Sequence, residues 1–538
     1  MNFIKTLLRA FTAKEFKALV AAFALFCLAG VVSAAFAVGE HSVFVPVAGG
    51  SYREGVVGQP VALNPVISDN AADEDVNALV YSRLYDLLSS YNVEEQGRVY
   101  ILNLKENLTW DDGAPLTSDD VVFTINSIED PDVRSPLFKN WDGVVAERVS
   151  QLQVRLSLPT SYAFFLDNLK ALPVIPKHVY GNVPPANMAL SSYNLAPVGD
   201  GPYKFDSIAE QKDGFVNEIA LVPNPDYYGK QPYIDEFSFL FFKDQDSLLN
   251  AFRMHAIDGF GSTDPVGLDA LASSRAAVVT VPTLRYYAVF MNSNNNPLLK
   301  NDLVREALAL AIPRDQITKD VFGGAATPVA SPVLSADVQS SSTDPWSYDP
   351  DKARALLAKA KIGDASFNLV VPQIDFLMKT ADELRSAWAA VGLTVNIVPV
   401  DPQNALNLVI KTGNYEMLLF GNILENPDDL FPFWHSSQRG YPGLNLSFYK
   451  DTRADTLIEK IRAATDPSSI PPLLGFLSET IQDDAPAAFL YSVPYTYVHT
   501  ASLGGFYYEN APQGALASPA DRFRDISDWY VTKARVLQ

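Results

Sequence analysis

The stretch Tyr100–Phe123, YILNLKENLTWDDGAPLTSDDVVF, carries three local structural signals in a short order. Tyr100, Leu102 and Leu104, then Leu108 and Trp110, set apolar residues at period two with charges and amides between, which predicts a strand pair with one buried face. Asp111-Asp112-Gly113 predicts a turn: the carboxylates can bond their own backbone, the glycine tolerates the left-handed region, and Pro115 blocks further ladder pairing. Thr117-Ser118-Asp119-Asp120 reads as an N-cap with an acidic first turn, Asp120 being a shorter stand-in for the Glu or Gln of a capping box. These roles are structural, so the segment reports architecture and marks no ligand site.

The rest of the chain alternates strand and helix signals joined by short Pro- and Gly-rich connections, without a fixed-period repeat, and so reads as mixed α/β. Helices are predicted over 73–88, 118–127, 244–253, 302–311, 349–359, 380–391 and 455–464, each opening on an acidic or polar residue. Strands are predicted over 215–222, 237–242, 286–291, 395–400 and 415–420.

At 538 residues, 48% of them hydrophobic and 19% charged, the chain can bury several cores and should divide into lobes. A formal charge of −21 disfavours nucleic acid as a partner, since phosphates need Lys and Arg clusters that are not found here. The single cysteine, Cys27, excludes an internal disulfide framework. Phe26 precedes it where a lipidation signal wants a small residue, so Cys27 reads as an apolar side chain in a membrane segment.

Residues 18–38 carry no charge and follow Lys5, Arg9, Lys14 and Lys17, a pattern that can span a bilayer with the N-terminus inside and the body outside. Ala35-Phe36-Ala37 is also a cleavage pattern, so a secretory signal cut after Ala37 competes with a retained anchor, and either makes the body extracytoplasmic. Residues 41–48 then link this segment to the body. No later run is long enough to span, which excludes the chain as a permease, and no G-x-x-x-x-G-K-[ST] loop makes it an ATPase.

The run Trp110, Asp112, Gly113, Pro115, Leu116, Thr117, Asp120 and Val121 resembles the signature of the family 5 extracellular solute-binding proteins, the peptide receptors of ABC importers. Further phrases similar to that family follow in order. They are Gly50-Ser51-Tyr52-Arg53 with Leu63-Asn64-Pro65, Ile175-Pro176-Lys177-His178, Pro197-Val198-Gly199-Asp200-Gly201-Pro202-Tyr203, Asn224-Pro225-Asp226-Tyr227-Tyr228, Val304-Arg305-Glu306-Ala307-Leu308 and Tyr348-Asp349-Pro350-Asp351-Lys352-Ala353.

The resemblance implies a periplasmic-binding-protein-like Venus flytrap (type II, cluster C) with an extra lobe, working as a monomer. Lobe I is expected from 49–84, 201–285 and 506–538, lobe II from 85–200 and lobe III from 286–505. Hinge strands are expected near Tyr286–Asn292 going out and Leu503-Gly504-Gly505-Phe506 coming back, where glycine permits the torsion that closure needs.

The resemblance also implies a short peptide held between lobes I and III, delivered to an ABC permease and its ATPase. Many members pair the ligand amine with an aspartate in a loop like G-W-x-x-D-x-x-D-P-D-x-F. Here Asn422 stands in place of the tryptophan and the aspartate is absent, leaving Glu425 or Asp428 as substitutes. Trp434, Tyr287 and Asn292 are further expected contacts, as are Ser68, Asp69 and Asn70 in the loop after the first strand.

His41, His178, His255, His435 and His499 are scattered, and no G-x-S-x-G, H-E-x-x-H or cysteine nucleophile is found in the body, so no enzyme activity, metal or cofactor is expected. The alternatives within the same fold are a membrane-tethered sensor, a peptide-holding chaperone, or a receptor for nickel, haem or sugar.

Overall fold

The computed structural model describes residues 12–40, 42–335, 344–363, 365–402, 404–510 and 515–537. Lys5, Arg9 and His41, and the side chains of Ala35-Phe36-Ala37, lie outside the described residues. Among those described, the strands form four sheets.

The first large sheet has seven strands, with Ser51–Val57 near its centre and parallel to both Glu236–Phe242 and Gly259–Ser262. Phe237, Phe239 and Phe241 alternate inward, as period two requires of a sheet with one packed face. A four-stranded antiparallel sheet over Leu88–Glu94, Val99–Leu104, Gln153–Ser157 and Val145–Ser150 makes lobe II. A single continuous hydrophobic core joins this lobe to the seven-stranded lobe I, so the two form one body.

Lobe III is built on a six-stranded sheet with Arg285–Met291 inside it, between Ala487–Ser492 and Met417–Ile423. From Tyr286 to Met291 every residue is buried, because separate cores cover the two faces. A two-stranded ribbon pairs Ser42–Pro46 with Lys533–Leu537 and sits just after the helix Ala13–Glu40. Not all side chains of that helix are described, and among the described residues no helix is long and apolar enough to cross a membrane.

The opening motif folds as its residues dictate. Gly113 adopts φ +86, Trp110 and Ala114 close the turn (N to O, 2.8 Å), and Thr117 caps the helix Ser118–Glu129 with Asp120 returning the bond to the Thr117 amide at 2.8 Å. The other oxygen of Asp120 accepts from Lys177 N at 2.9 Å, and Asp111 and Gly199 exchange two bonds, so three of the family-like phrases meet at the joint of lobes I and II.

Two expectations change. The helix expected to run to Leu88 ends at Val80, because the Ser82 amide turns away to Asp200 Oδ1 at 2.8 Å. The chain also leaves lobe III before Gly505: Tyr495–Thr500 pairs with Ala276–Val281 and Gly259–Ser262 in the lobe I sheet. The two crossings are therefore 282–284 and 493–494, and Leu503–Phe506 is not the return hinge. Gly504 exchanges backbone bonds with Tyr530 and Phe506 is buried in the lobe I core.

Lobe II also reaches lobe III. Phe164 is buried in the lobe III core, Ala163 N donates to Arg462 O at 2.7 Å, and Tyr162 donates to Asp429 at 2.7 Å beneath the Arg462 guanidinium. Burial of a phenylalanine is worth about 1.5–3 kcal/mol. Phe164→Ala should accordingly speed amide hydrogen exchange at Ala163 by about tenfold or more, while amides within Arg285–Met291 keep their protection.

Burial pushes the Asp200 carboxyl up to about 7, against the lowering effect of its bonds from Ser82. The folded state thus holds this proton at pH values where the unfolded chain, near the ordinary 3.8, has released it. The stability Asp200 contributes is full below the unfolded value and is lost as pH rises through about 7. Asp200→Asn should flatten the fall in urea midpoint between about pH 5 and pH 7.

Candidate functional site

The crossings between lobes I and III lie side by side. Thr283 Oγ1 donates to Val493 O at 2.7 Å, tying one crossing to the other. A third segment joins them: Leu516 N donates to Pro282 O at 2.8 Å, and Leu284 N to Leu516 O at 3.0 Å. On the lobe III side, Leu424 N donates to Leu284 O at 2.7 Å.

A small cavity of about 10 Å³ lies beside this junction, with Thr263, Tyr495 and Ala517 on the lobe I side and Leu284, Arg285 and Ile423 on the lobe III side. Gly261 leaves room for the Tyr495 ring, since a Cβ there would stand 1.5 Å from its hydroxyl and force the ring to shift. The wall at 517–519 is pinned from behind. Asp521 accepts from the amides of Ala517 and Ser518 and pairs with Arg83, and Arg522 Nη1 donates to Pro519 O.

Arg522 itself is buried between Glu54 and Asp75, at 2.9 and 2.7 Å. Tyr497 adds a hydroxyl bond to Glu54 at 2.7 Å. Burial pushes the Glu54 carboxyl up to about 7 while the Arg522 charge pulls it down. A buried triad so fully bonded is a strut that orients the pocket wall, and it is spent on its own partners.

The residues expected from the sequence lie elsewhere. Asn70 caps the helix Ala71–Val80, its Oδ1 accepting from Asp73 N at 3.0 Å, and Ser68 Oγ donates to the carbonyls of Ala62 and Asn64. Asp69 is exposed beside them, and none of the three lines the pocket. Tyr287 packs inside lobe III against Phe376 and Tyr491. Asn292 is buried beyond the far end of its strand, where Nδ2 donates to Gly413 O at 3.0 Å, roughly 20 Å from the pocket at 3.3 Å per residue.

Asn422 and Trp434 converge on one buried acceptor, the Tyr286 hydroxyl, at 2.8 and 3.1 Å. They are core residues, and Asn422 fills the position of the usual tryptophan by bonding inward. Glu425 is turned toward lobe II and accepts from Asn140 Nδ2 at 2.6 Å. Asp428 sits in the turn that Asn426 closes, and it is Asp429 that caps the Phe431 amide. The amine pocket expected from Glu425 or Asp428 is therefore not assembled at the junction.

What sequence reading missed is the pocket itself. Arg285 and Ile423 face each other across paired strands, and Leu516–Pro519 arrives from more than two hundred residues away. The one local signal is a charged residue heading the otherwise apolar run Tyr286–Met291.

The profile of the bacterial extracellular solute-binding proteins, family 5 Middle, matches residues 84–441. The chain is 26% identical over 526 residues to the oligopeptide-binding protein AppA of Bacillus subtilis, covering 92% of this chain and 94% of that one. Its fold is similar to that of the ABC transporter substrate-binding protein CtaP from Listeria monocytogenes, with TM-score 0.78 at 28% identity over 90% of this chain and 99% of CtaP. The structure of Bacillus subtilis AppA in complex with a nonapeptide matches with TM-score 0.73 at 25% identity, covering 91% of this chain and 100% of AppA. With a profile match over about two-thirds of its length, this chain belongs to the bacterial extracellular solute-binding proteins, family 5.

Proposed function

We propose that this chain is the extracytoplasmic substrate-binding protein of a peptide ABC importer, capturing short peptides between lobes I and III and presenting them to the permease. The observation that carries the reading is the pocket beside the two crossings, with walls from both lobes. A ligand touching both walls stabilises their approach by its differential affinity for the closed arrangement. The peptide class is favoured by the oligopeptide-binding relative and by the nonapeptide-bound neighbour.

In this reading the clamp is a type II, cluster C flytrap with lobe II as the extra lobe. Lobe I comprises 49–84, 201–281 and 495–537, lobe II 85–200, and lobe III 285–492, with the crossings between them. The work is binding and closure, without catalysis, by a monomer. The helix Ala13–Glu40 serves export: its uncharged run from 18 to 38 exposes Leu19, Phe23, Phe26 and Leu28, and it acts as a retained membrane anchor or as a signal cut after Ala37.

Mass spectrometry of the small molecules released when the purified full chain is denatured tests the ligand class. Co-purified short peptides are expected. Release of a sugar, nickel or haem in their place contradicts the reading.

A further inference from the structure

Arg285 is the charged residue of the pocket. It heads the strand Arg285–Met291, pairs across the sheet with the half-exposed Ile423, and lines the junction pocket with it. Its Nε is buried, and the guanidinium makes no hydrogen bond or ion pair with any described residue. Every other arginine at this junction is engaged: Arg83 by Asp521, and Arg522 by Glu54 and Asp75.

No carboxylate stands among the pocket-lining residues. Thr283 donates its hydroxyl proton to Val493 O, and no described residue accepts a hydrogen bond from the guanidinium. Arg285 is half-buried, so the cost falls on its buried Nε–H, which has no acceptor, and a guanidinium presents a planar fork matched to a carboxylate.

We propose that Arg285 receives a carboxylate of the ligand, which fixes the ligand by its anionic group at the hinge end of the cleft. This rests on the reading of the junction pocket as the peptide site and deepens it. The polarity is opposite to an amine-first pocket: the charge the protein supplies here is positive, although the chain as a whole is strongly acidic. The carboxylate has two sources in a peptide, the C-terminus and an Asp or Glu side chain.

The test uses the purified full chain and a synthetic series of alanine-rich peptides, from di- to nonapeptide. Each is made as the free acid, as the C-terminal amide, and as the amide with one internal Glu, and dissociation constants are read by titration calorimetry. Amidation is expected to weaken binding roughly ten- to hundredfold, the loss of a charge-assisted bidentate contact. Recovery with the internal Glu assigns the contact to a side-chain carboxylate; no recovery assigns it to the C-terminus.

Arg285→Met should erase the difference between acid and amide, and Arg285→Lys should keep part of it. Urea midpoints of both variants report whether they fold, and the acid-to-amide comparison on the unaltered chain stands without them. Equal binding of acid and amide by the unaltered chain overturns the Arg285 assignment and leaves the peptide reading in place. Binding of neither form at any length overturns the peptide reading, and this assignment with it.

Discussion

The structure depends on the pair of chain crossings between lobe I and lobe III and on the hydrogen bond that holds them together. Thr283 Oγ1 to Val493 O joins the outgoing strand to the returning one, and Leu516 adds a third strand-like segment bonded to both sides of Thr283. Two large sheets that meet at such a seam can rotate about it while each stays intact, which is the hinge class of domain motion. The pocket lies against the seam, with walls from lobe I and lobe III. Lobe II supplies the second point of contact, where Tyr162–Phe164 enters lobe III.

The most recognisable phrases in the sequence serve a different constraint. Asp120 binds the Lys177 amide, Asp112 binds His178, and Asp111 exchanges bonds with Gly199, so residues 110–120, 175–178 and 197–203 form one joint. That joint fuses lobe II to lobe I, whose hydrophobic core is continuous. Its residues are fixed by turn, cap and burial geometry, which explains why they mark the architecture so clearly and stay away from the junction pocket.

Local structure was legible where a single signal dominated. Phe237–Phe241 alternates, Thr117 and Asp120 cap, and Asp302 and Asp349 open helices, and these elements stand within a residue or two of expectation. The sequence reading lost the helix Ile470–Asp484, which opens on two prolines, and the strands Ala487–Ser492 and Tyr495–Thr500, which run through Pro494 as nearly continuous apolar sequence. Missing those strands moved the return crossing to the glycines at 504–505. The site was less legible than the fold because it is assembled from strand ends distant in sequence. Asn292 and Trp434 look like contacts on a line of residues, and only the sheet register and the Tyr286 hydroxyl reveal that they face inward.

The central claim is that the chain works as a two-bodied clamp that closes about this seam on its ligand. Small-angle X-ray scattering tests it most directly, on full-length chain stripped of ligand by unfolding and refolding and then returned to the peptides it released. The account predicts a smaller radius of gyration once peptide is bound, with the unfolding midpoint raised in parallel. A raised midpoint with an unchanged radius of gyration would mean that ligand binds a clamp that does not move, and would contradict the account.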